Sequence, residues 1–364
     1  MRSGVLTSVH SFASDPARGV FILAILVFFI GGSLALFAWR ASHLRQGGIF
    51  APVSREGALV LNNLLLTTCC ATVFVGTLYP LALEAATGEK ISVGAPFFNL
   101  TFGPLFVPVL LAIPLGQMLA WKRGDLLGAA QRLTLAVAIG FVVAAGFAAL
   151  RGGPVLSVVL AGIAAYLVIG SFVEIFGRII GRGVSVSVAV ARAIGLPRSA
   201  WGTALAHAGL GLTLMGIAAI GWGVEVVHAI RSGDRLALGP YELHVGTIGD
   251  RPGPNYDATV APIAIMEGGR IVASIQPARR FYRARQMPTT EAGIATLGFG
   301  QVYVSLSEKN PDGSLDARLY WKPYVALIWI GTLIMALGGA FSLSDRRLRI
   351  GVARRTKAVP QAAE

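Results

Sequence analysis

Charge is what this sequence has least of. Asp, Glu, Lys and Arg make up 13% of its 364 residues, while 54% are hydrophobic; an ordinary soluble domain carries about 25% charged residues. So large a deficit excludes a conventional water-soluble protein and points to a chain solvated by lipid. Cysteine is nearly absent too: only Cys69 and Cys70 occur, and they are adjacent. Neighbouring Cα atoms stand ~3.8 Å apart, short of the ~4.4 Å minimum of an ordinary disulfide. The pair therefore reads as packing residues whose side chains diverge on a helix. No CxxC and no CxxCH occurs, which excludes a thioredoxin-type motif and a c-type haem attachment site. A P-loop, a zinc signature and a Ser/His/Asp set are also missing. Histidine is scarce, at five residues, so each can be weighed singly.

What is present is a succession of long apolar runs. A helix needs ~20 apolar residues to cross the hydrocarbon core, and seven segments qualify: 19–39, 58–83, 104–121, 133–150, 155–177, 202–222 and 322–343. The first is too long for a signal-peptide core and no small-residue cleavage site follows it, so it is expected to stay in the membrane. The formal net charge of +13 gathers at the ends of these runs, which is the positive-inside bias rather than a nucleic-acid footprint. Arg40, Arg45 and Arg55 follow the first run, Lys122, Arg123 and Arg132 the third, Arg178, Arg182, Arg192 and Arg198 the fifth, and a basic tail from Arg346 the last. The alternate loops hold Lys90 alone and Arg151 alone. Seven crossings with the basic loops inside put the amino terminus outside and the carboxy terminus in the cytoplasm.

Between 223 and 321 helical periodicity stops. Tyr241–Val245, Thr259–Ile265, Arg270–Ile275 and Val302–Leu306 alternate and are β-rich, with turns expected at Asp250–Asn255 and Asn310–Gly313. The expected fold class is an all-α polytopic membrane protein of about seven transmembrane helices with a small β-rich domain outside. Its parts are an outer amino-terminal segment 1–18, six helices within 19–222, the β-rich domain 223–321, a last helix 322–343 and a cytoplasmic tail 344–364.

His207 is the most informative residue. It lies in Thr203-Ala-Leu-Ala-His-Ala-Gly-Leu-Gly-Leu-Thr213, nine residues past Arg198, or about 13 Å along the helix. An ionisable group at that depth is costly and is a functional candidate. Ala206, Ala208, Gly209 and Gly211 leave space for a neighbouring helix or a flat ligand, and neutral imidazole is a good axial ligand for haem iron. A histidine bonded across a small-residue helix interface is the plainer alternative. His10 reads as a solvated loop residue outside the membrane. His228 and His244 have no partner at metal-site spacing, and His43 lies beside arginines in an inner loop. Ala278-Arg-Arg-Phe-Tyr-Arg-Ala-Arg285 sets Arg279, Arg280, Arg283 and Arg285 among two aromatics. Its forks could grip carboxylates such as haem propionates, or the run could be a solvated basic strand edge. Asn62 and Asn63 are expected to bond between helices, and Glu174 to pair with Arg178 one turn on.

Several strings together resemble the CcmF family, the large haem-lyase subunits of bacterial system I cytochrome c maturation. They are Arg2-Ser-Gly-Val-Leu-Thr-Ser-Val-His10 with Phe12–Gly19, Leu61–Leu66, Gly76-Thr-Leu-Tyr-Pro80, the loop Lys90–Asn99, Ala206-His-Ala-Gly209, Phe281–Glu291 and Tyr320-Trp-Lys-Pro-Tyr324. The likeness spans nearly the whole chain. It implies an inner-membrane location with the β-rich domain in the periplasm. His10 becomes an axial ligand of delivered haem, and His207 a ligand of a resident haem b. The implied partners are a periplasmic haem chaperone, an apocytochrome c with its thiol-reducing and chaperone subunits, and the amino-terminal half of the family. Within such a haem lyase complex, the haem becomes attached to the CxxCH thiols of the apocytochrome. None of the six tryptophans forms the family's WWD segment, so the resemblance further implies a fragment or split form that needs the WWD-containing half. The nitrite-reductase branch of the family, a haem-free assembly subunit and a transporter are the other readings the sequence allows.

Overall fold

The computed structural model describes residues 21–345, apart from 22–23, 26, 44–48, 90, 92, 182 and 285. His10, Arg285, the outer segment 1–18 and nearly all of the tail 344–364 fall outside the described residues. Six described helices are long and apolar enough to cross a membrane. The chain divides into two compact units, Met1–Ala112 with Leu119–Asp125, and Ile113–Met118 with Leu126–Glu364.

In the first unit, the expected span 19–39 is only partly described; its later half forms a π turn, Val27–Gly31, and helix α1, Gly32–Arg40. Helix α2, Arg55–Thr87, begins on a side-chain cap. The Ser54 hydroxyl accepts from Gly57 N at 3.0 Å and donates to Ala51 O at 2.7 Å, satisfying one of the free amides of the first turn. Gly88, at φ +76°, takes the left-handed conformation that ends the helix without a Cβ penalty. Helix α3, Ala95–Met118, starts nine residues before the expected run 104–121. Asn99, Thr101 and Gly103 dilute the hydropathy there, but Gly94 and Pro96 set the start, because proline is pre-organised for a helix's first turn. The last five residues of the expected loop Lys90–Asn99 are thereby helical. Phe97 packs edge-to-face on Phe98 at 5.2 Å, against Gly76, where a Cβ would lie 2.6 Å from the Phe97 ring. The start of α2 meets the segment that follows α3. Arg55 N donates to Ala120 O at 2.9 Å, and Lys122 Nζ lies 3.2 Å from Glu56 Oε1.

The second unit takes the last turn of α3 together with α4 (Leu126–Arg132), α5 (Thr134–Arg151), α6 (Val155–Ile179), α7 (Val186–Gly195), α8 (Arg198–Ala218) and α9 (Ala326–Leu343). Glycines set the helix spacing. A Cβ on Gly140 would lie 2.8 Å from Gly162 O, joining α5 to α6, and one on Gly211 would lie 2.9 Å from Ala164 O, joining α8 to α6. Along α8, Gly202 faces Gly338 and Ser342, Gly209 faces Gly331 and Met335, and Gly216 faces Ile328. The spacing is seven residues, two turns, so all three lie on one seam against α9. One end of this bundle is closed by Trp222, whose indole N–H donates to Gly152 O at 2.7 Å while its ring stacks on Phe147. At the other end Asp345 Oδ2 accepts from Ser199 N and Oγ at 3.1 and 2.9 Å.

Twelve antiparallel strands stand between α8 and α9 in three four-stranded sheets. The first is ordered β1 (Val224–Ile230), β12 (Leu315–Lys322), β11 (Gly300–Lys309) and β10 (Gly293–Leu297). The second is β2 (Arg235–Leu238), β3 (Tyr241–Val245), β6 (Ile263–Glu267) and β7 (Arg270–Ile275). The third is β4 (Gly249–Pro252), β5 (Tyr256–Val260), β8 (Ala278–Tyr282) and β9 (Met287–Glu291). The first two sheets share the main core. Strands β11, Gly300–Lys309, and β12, Leu315–Lys322, alternate with period two, burying Val302, Val304 and Leu306 and, opposite, Leu315, Ala317 and Leu319. Leu243 and Ile265 of β3 (Tyr241–Val245) and β6 (Ile263–Glu267) close the core from the second sheet. Three sequence expectations are corrected. The run 259–265 is two strands, β5 (Tyr256–Val260) and β6, because Pro262 cannot donate to a ladder and the chain changes sheet there. Asp250 and Arg251 lie in β4, Gly249–Pro252, so the turn shrinks to 253–255. Lys322 ends β12, and α9 begins four residues later, after Tyr324 at φ +56°.

Candidate functional site

His207 sits near the middle of α8, half-buried. Of the small residues beside it, Gly209 faces α9 and Gly211 faces α6. Its partner is one that inspection of the sequence missed. Gln117, in the last turn of α3 and 90 residues away in sequence, places its carboxamide nitrogen 2.5 Å from His207 Nδ1. As placed, the amide donates to Nδ1, and the other ring nitrogen is left for a second interaction. A lone glutamine in an apolar run was the available signal, since a polar side chain inside a span is expected to find a partner. No other histidine of the chain falls in any of the six spans. Among the described residues no group of three or more His, Cys, Asp or Glu side chains could hold a metal ion.

The remaining candidates are dispersed. Strand β8, Ala278–Tyr282, lies between β5 and β9, so its arginines are on an interior strand and not on an edge. Arg279 and Arg280 in this strand, and Arg283 in the turn after it, are each matched with an acid. Arg279 donates to Glu308 and to Ser307 O at 3.1 Å. Arg280 lies 3.2 Å from Glu291 and over the Tyr256 ring. Arg283 forks onto both oxygens of Asp257. That fork holds the Asp257 carboxyl below its ordinary value. Their carboxylate-binding capacity is spent within the domain, which removes the main attraction of the propionate reading. His244 Nε2 lies 2.9 Å from Glu242 Oε1, yet that nitrogen has no partner in hydrogen-bonding geometry. Distance without direction makes this a close approach and not a bond. His228 is exposed on β1, Val224–Ile230, and His43 Nδ1 lies 3.3 Å from Ser42 Oγ. Asn62 donates to Asn63 at 3.4 Å, a contact between neighbours where a bond between helices was expected. Arg178 does bond to Glu174, as the one-turn spacing predicts. Both cysteines are free, Cys69 buried and Cys70 exposed.

The strands match a family model described as the CcmF C-terminal beta-sandwich, over residues 221–323. The cytochrome c-type biogenesis protein CycK of Rhizobium meliloti (strain 1021) is 54% identical across 98% of this chain and 53% of its own length. CycK of Bradyrhizobium diazoefficiens is 50% identical across 98% of this chain and 54% of its own. The chain belongs to the CcmF family. CcmF of Pseudomonas aeruginosa is 38% identical over the same share. A solved structure of the cytochrome c haem lyase CcmF superposes with a TM-score of 0.69 over 91% of this chain and 51% of that one. At 22% identity that likeness shows the fold alone. The chain spans about half the length of the curated relatives it matches. Six apolar helices in a CcmF-family chain make this a multi-pass inner-membrane protein, and the curated relatives it matches are cytochrome c-type biogenesis proteins.

Proposed function

We propose that this chain is the part of a cytochrome c haem lyase that supplies axial imidazoles to two haems. His207 serves a resident haem b, and His10, which lies outside the described residues, serves the haem being delivered. The observation that carries the reading is His207: an imidazole within a span, with one ring nitrogen engaged by Gln117 and the other left over. Through that remaining nitrogen an imidazole can ligate haem iron once the ring proton lies on Nδ1. A second ligand would come from the part of the family's length that this chain does not span, where its WWD segment is expected. When bound, the resident haem supplies the redox chemistry. The residues of this chain orient the imidazole and keep water from it. The substrates are haem brought by a periplasmic chaperone and the CxxCH thiols of an apocytochrome c, handled with the apocytochrome's thiol-reducing and chaperone subunits.

The basic segments around Arg55, Lys122, Arg178 and Arg198 are assigned to the cytoplasm and the sheets between β1 and β12 to the periplasm. That orientation puts His10 on the delivery side. A periplasm-active reporter inserted within 250–310 should be active; a silent one would reverse the orientation. The ligand reading is tested by His207→Ala in the chromosomal gene. The haem-to-protein ratio in detergent should fall while the polypeptide stays in the membrane. A helix-packing histidine predicts the opposite, less protein at an unchanged ratio.

A further inference from the structure

Gln117 and His207 lie on different helices and touch through one ring nitrogen. An imidazole that ligates through Nε2 must keep its proton on Nδ1, and that proton needs an acceptor. In the structure the carboxamide donates to Nδ1 at 2.5 Å, which selects the opposite tautomer, with the proton on Nε2. A glutamine can reverse this. Its oxygen and nitrogen have nearly the same shape, and its terminal torsion is broad and roughly two-fold. A half-turn therefore brings Oε1 to Nδ1–H without moving either backbone. We propose that Gln117 is the positioning residue of the membrane site, setting the tautomer and ring orientation of His207 by turning its carboxamide. With Oε1 toward the ring, Nδ1–H donates and the Nε2 lone pair is free for iron. With the amide nitrogen toward the ring, as here, Nε2 keeps its proton and does not ligate.

No other hydrogen bond to the His207 ring occurs among the described residues, and the glycine contacts of α8 orient the helix without reaching the imidazole. Loss of such an outer partner typically weakens a ligand roughly 10–100-fold. The inference rests on His207 being a haem ligand, and the experiment separates the two. Gln117→Leu, Gln117→Glu, Gln117→Asn and His207→Ala are made in the chromosomal gene, and the protein is extracted from native membranes. Haem per protein, haem transfer to apomyoglobin and the reduction midpoint are measured. Gln117→Leu should release haem to apomyoglobin roughly 10–100-fold more readily. Gln117→Asn, one methylene short, should resemble it. Gln117→Glu should retain haem and lower the midpoint, because a carboxylate accepts more strongly from Nδ1–H and favours the oxidised iron. A residue that merely packs would not move the midpoint. If Gln117→Leu fails to accumulate, Gln117→Glu alone decides: a lowered midpoint supports the role and an unchanged one overturns it. Loss of haem in His207→Ala with every glutamine variant at the wild-type ratio and midpoint overturns the role and leaves the ligand standing. An unchanged ratio in His207→Ala removes both.

Discussion

The helix pair α8–α9 and the sheets it flanks reach tight packing by opposite means. Between the helices the close contacts are made by Gly202, Gly209 and Gly216 on one side and Gly331 and Gly338 on the other. Between the sheets the core is made of large aliphatic side chains, with Leu243, Ile265, Leu306 and Leu319 all at 0–1% exposure. The solvent explains the difference. In water, burying a leucine removes apolar surface from an unfavourable contact, worth roughly 1.5–3 kcal/mol. In lipid that gain is missing, since the acyl chains are as apolar as the side chain, and helices associate through close van der Waals contact. Small residues therefore become the adhesive in one region and would be holes in the other.

Exchanging the chemistries should break this division. The largest effect is expected in the sandwich. Leu306→Ala removes a fully buried side chain that faces a second sheet, and should cost about 2–5 kcal/mol. The measurement is the midpoint of thermal unfolding followed by protease sensitivity of the β-rich domain in detergent. The same truncation at Leu333, 64% exposed on α9, should leave the midpoint nearly unchanged, and a comparable loss there would contradict the lipid argument. Next comes Gly209→Ala. Its new Cβ would stand 2.5 Å from Gly331 O, backbone that cannot move aside, so overpacking of roughly 1–3 kcal/mol is expected. Gly339→Ala on the same helix pair meets nothing within 4 Å and should be silent in the same melt. Equal effects from the two alanines would mean that helix propensity, and not the seam, sets stability.

The smallest effect is electrostatic and belongs to the sheets alone. Asp312 is lowered from 3.8 to about 2, chiefly by the Ser314 hydroxyl and amide and then by Arg231. A carboxylate with a depressed folded value stabilises the fold fully above its unfolded value, and that contribution is lost as pH falls through the folded one. The unfolding midpoint of wild type should therefore approach that of Asp312→Asn as pH drops from 3.8 toward about 2. Because Asp312 is exposed at a turn, the gap between them should be small and shrink in high salt. A gap that widens on acidification would reverse the assigned sign.

Local properties of the chain carry the elements, and only the folded arrangement carries the pairings. Hydropathy over some twenty residues marks a span wherever it lies, so the helices around 155–177 and 202–222 are legible within a few residues. Alternation does the same for Tyr241–Val245 and Arg270–Ile275, and a one-turn spacing suffices for Glu174 and Arg178. The position of His207 along its helix is legible for the same reason: it follows from counting residues from Arg198. Its contact with Gln117 is not, because 90 residues and four intervening helices separate them, and hydropathy says nothing of which helices become neighbours. Arg279 and Arg280 of β8, with Arg283 just after it, show the same limit. Their spacing suggested either forks that grip carboxylates or a solvated strand edge, but sheet order places the strand inside and the fold brings Asp257, Glu291 and Glu308 to them. Glycine in α8 reads equally as a gap or as a contact until the partner helix is known. Sequence by itself determined which segments would be apolar helices and which would be strands, since those follow from the free energy of short segments. Which polar group meets which, and so which ring nitrogen of His207 is engaged, was decided by tertiary packing, because it depends on separations between segments that no local preference encodes.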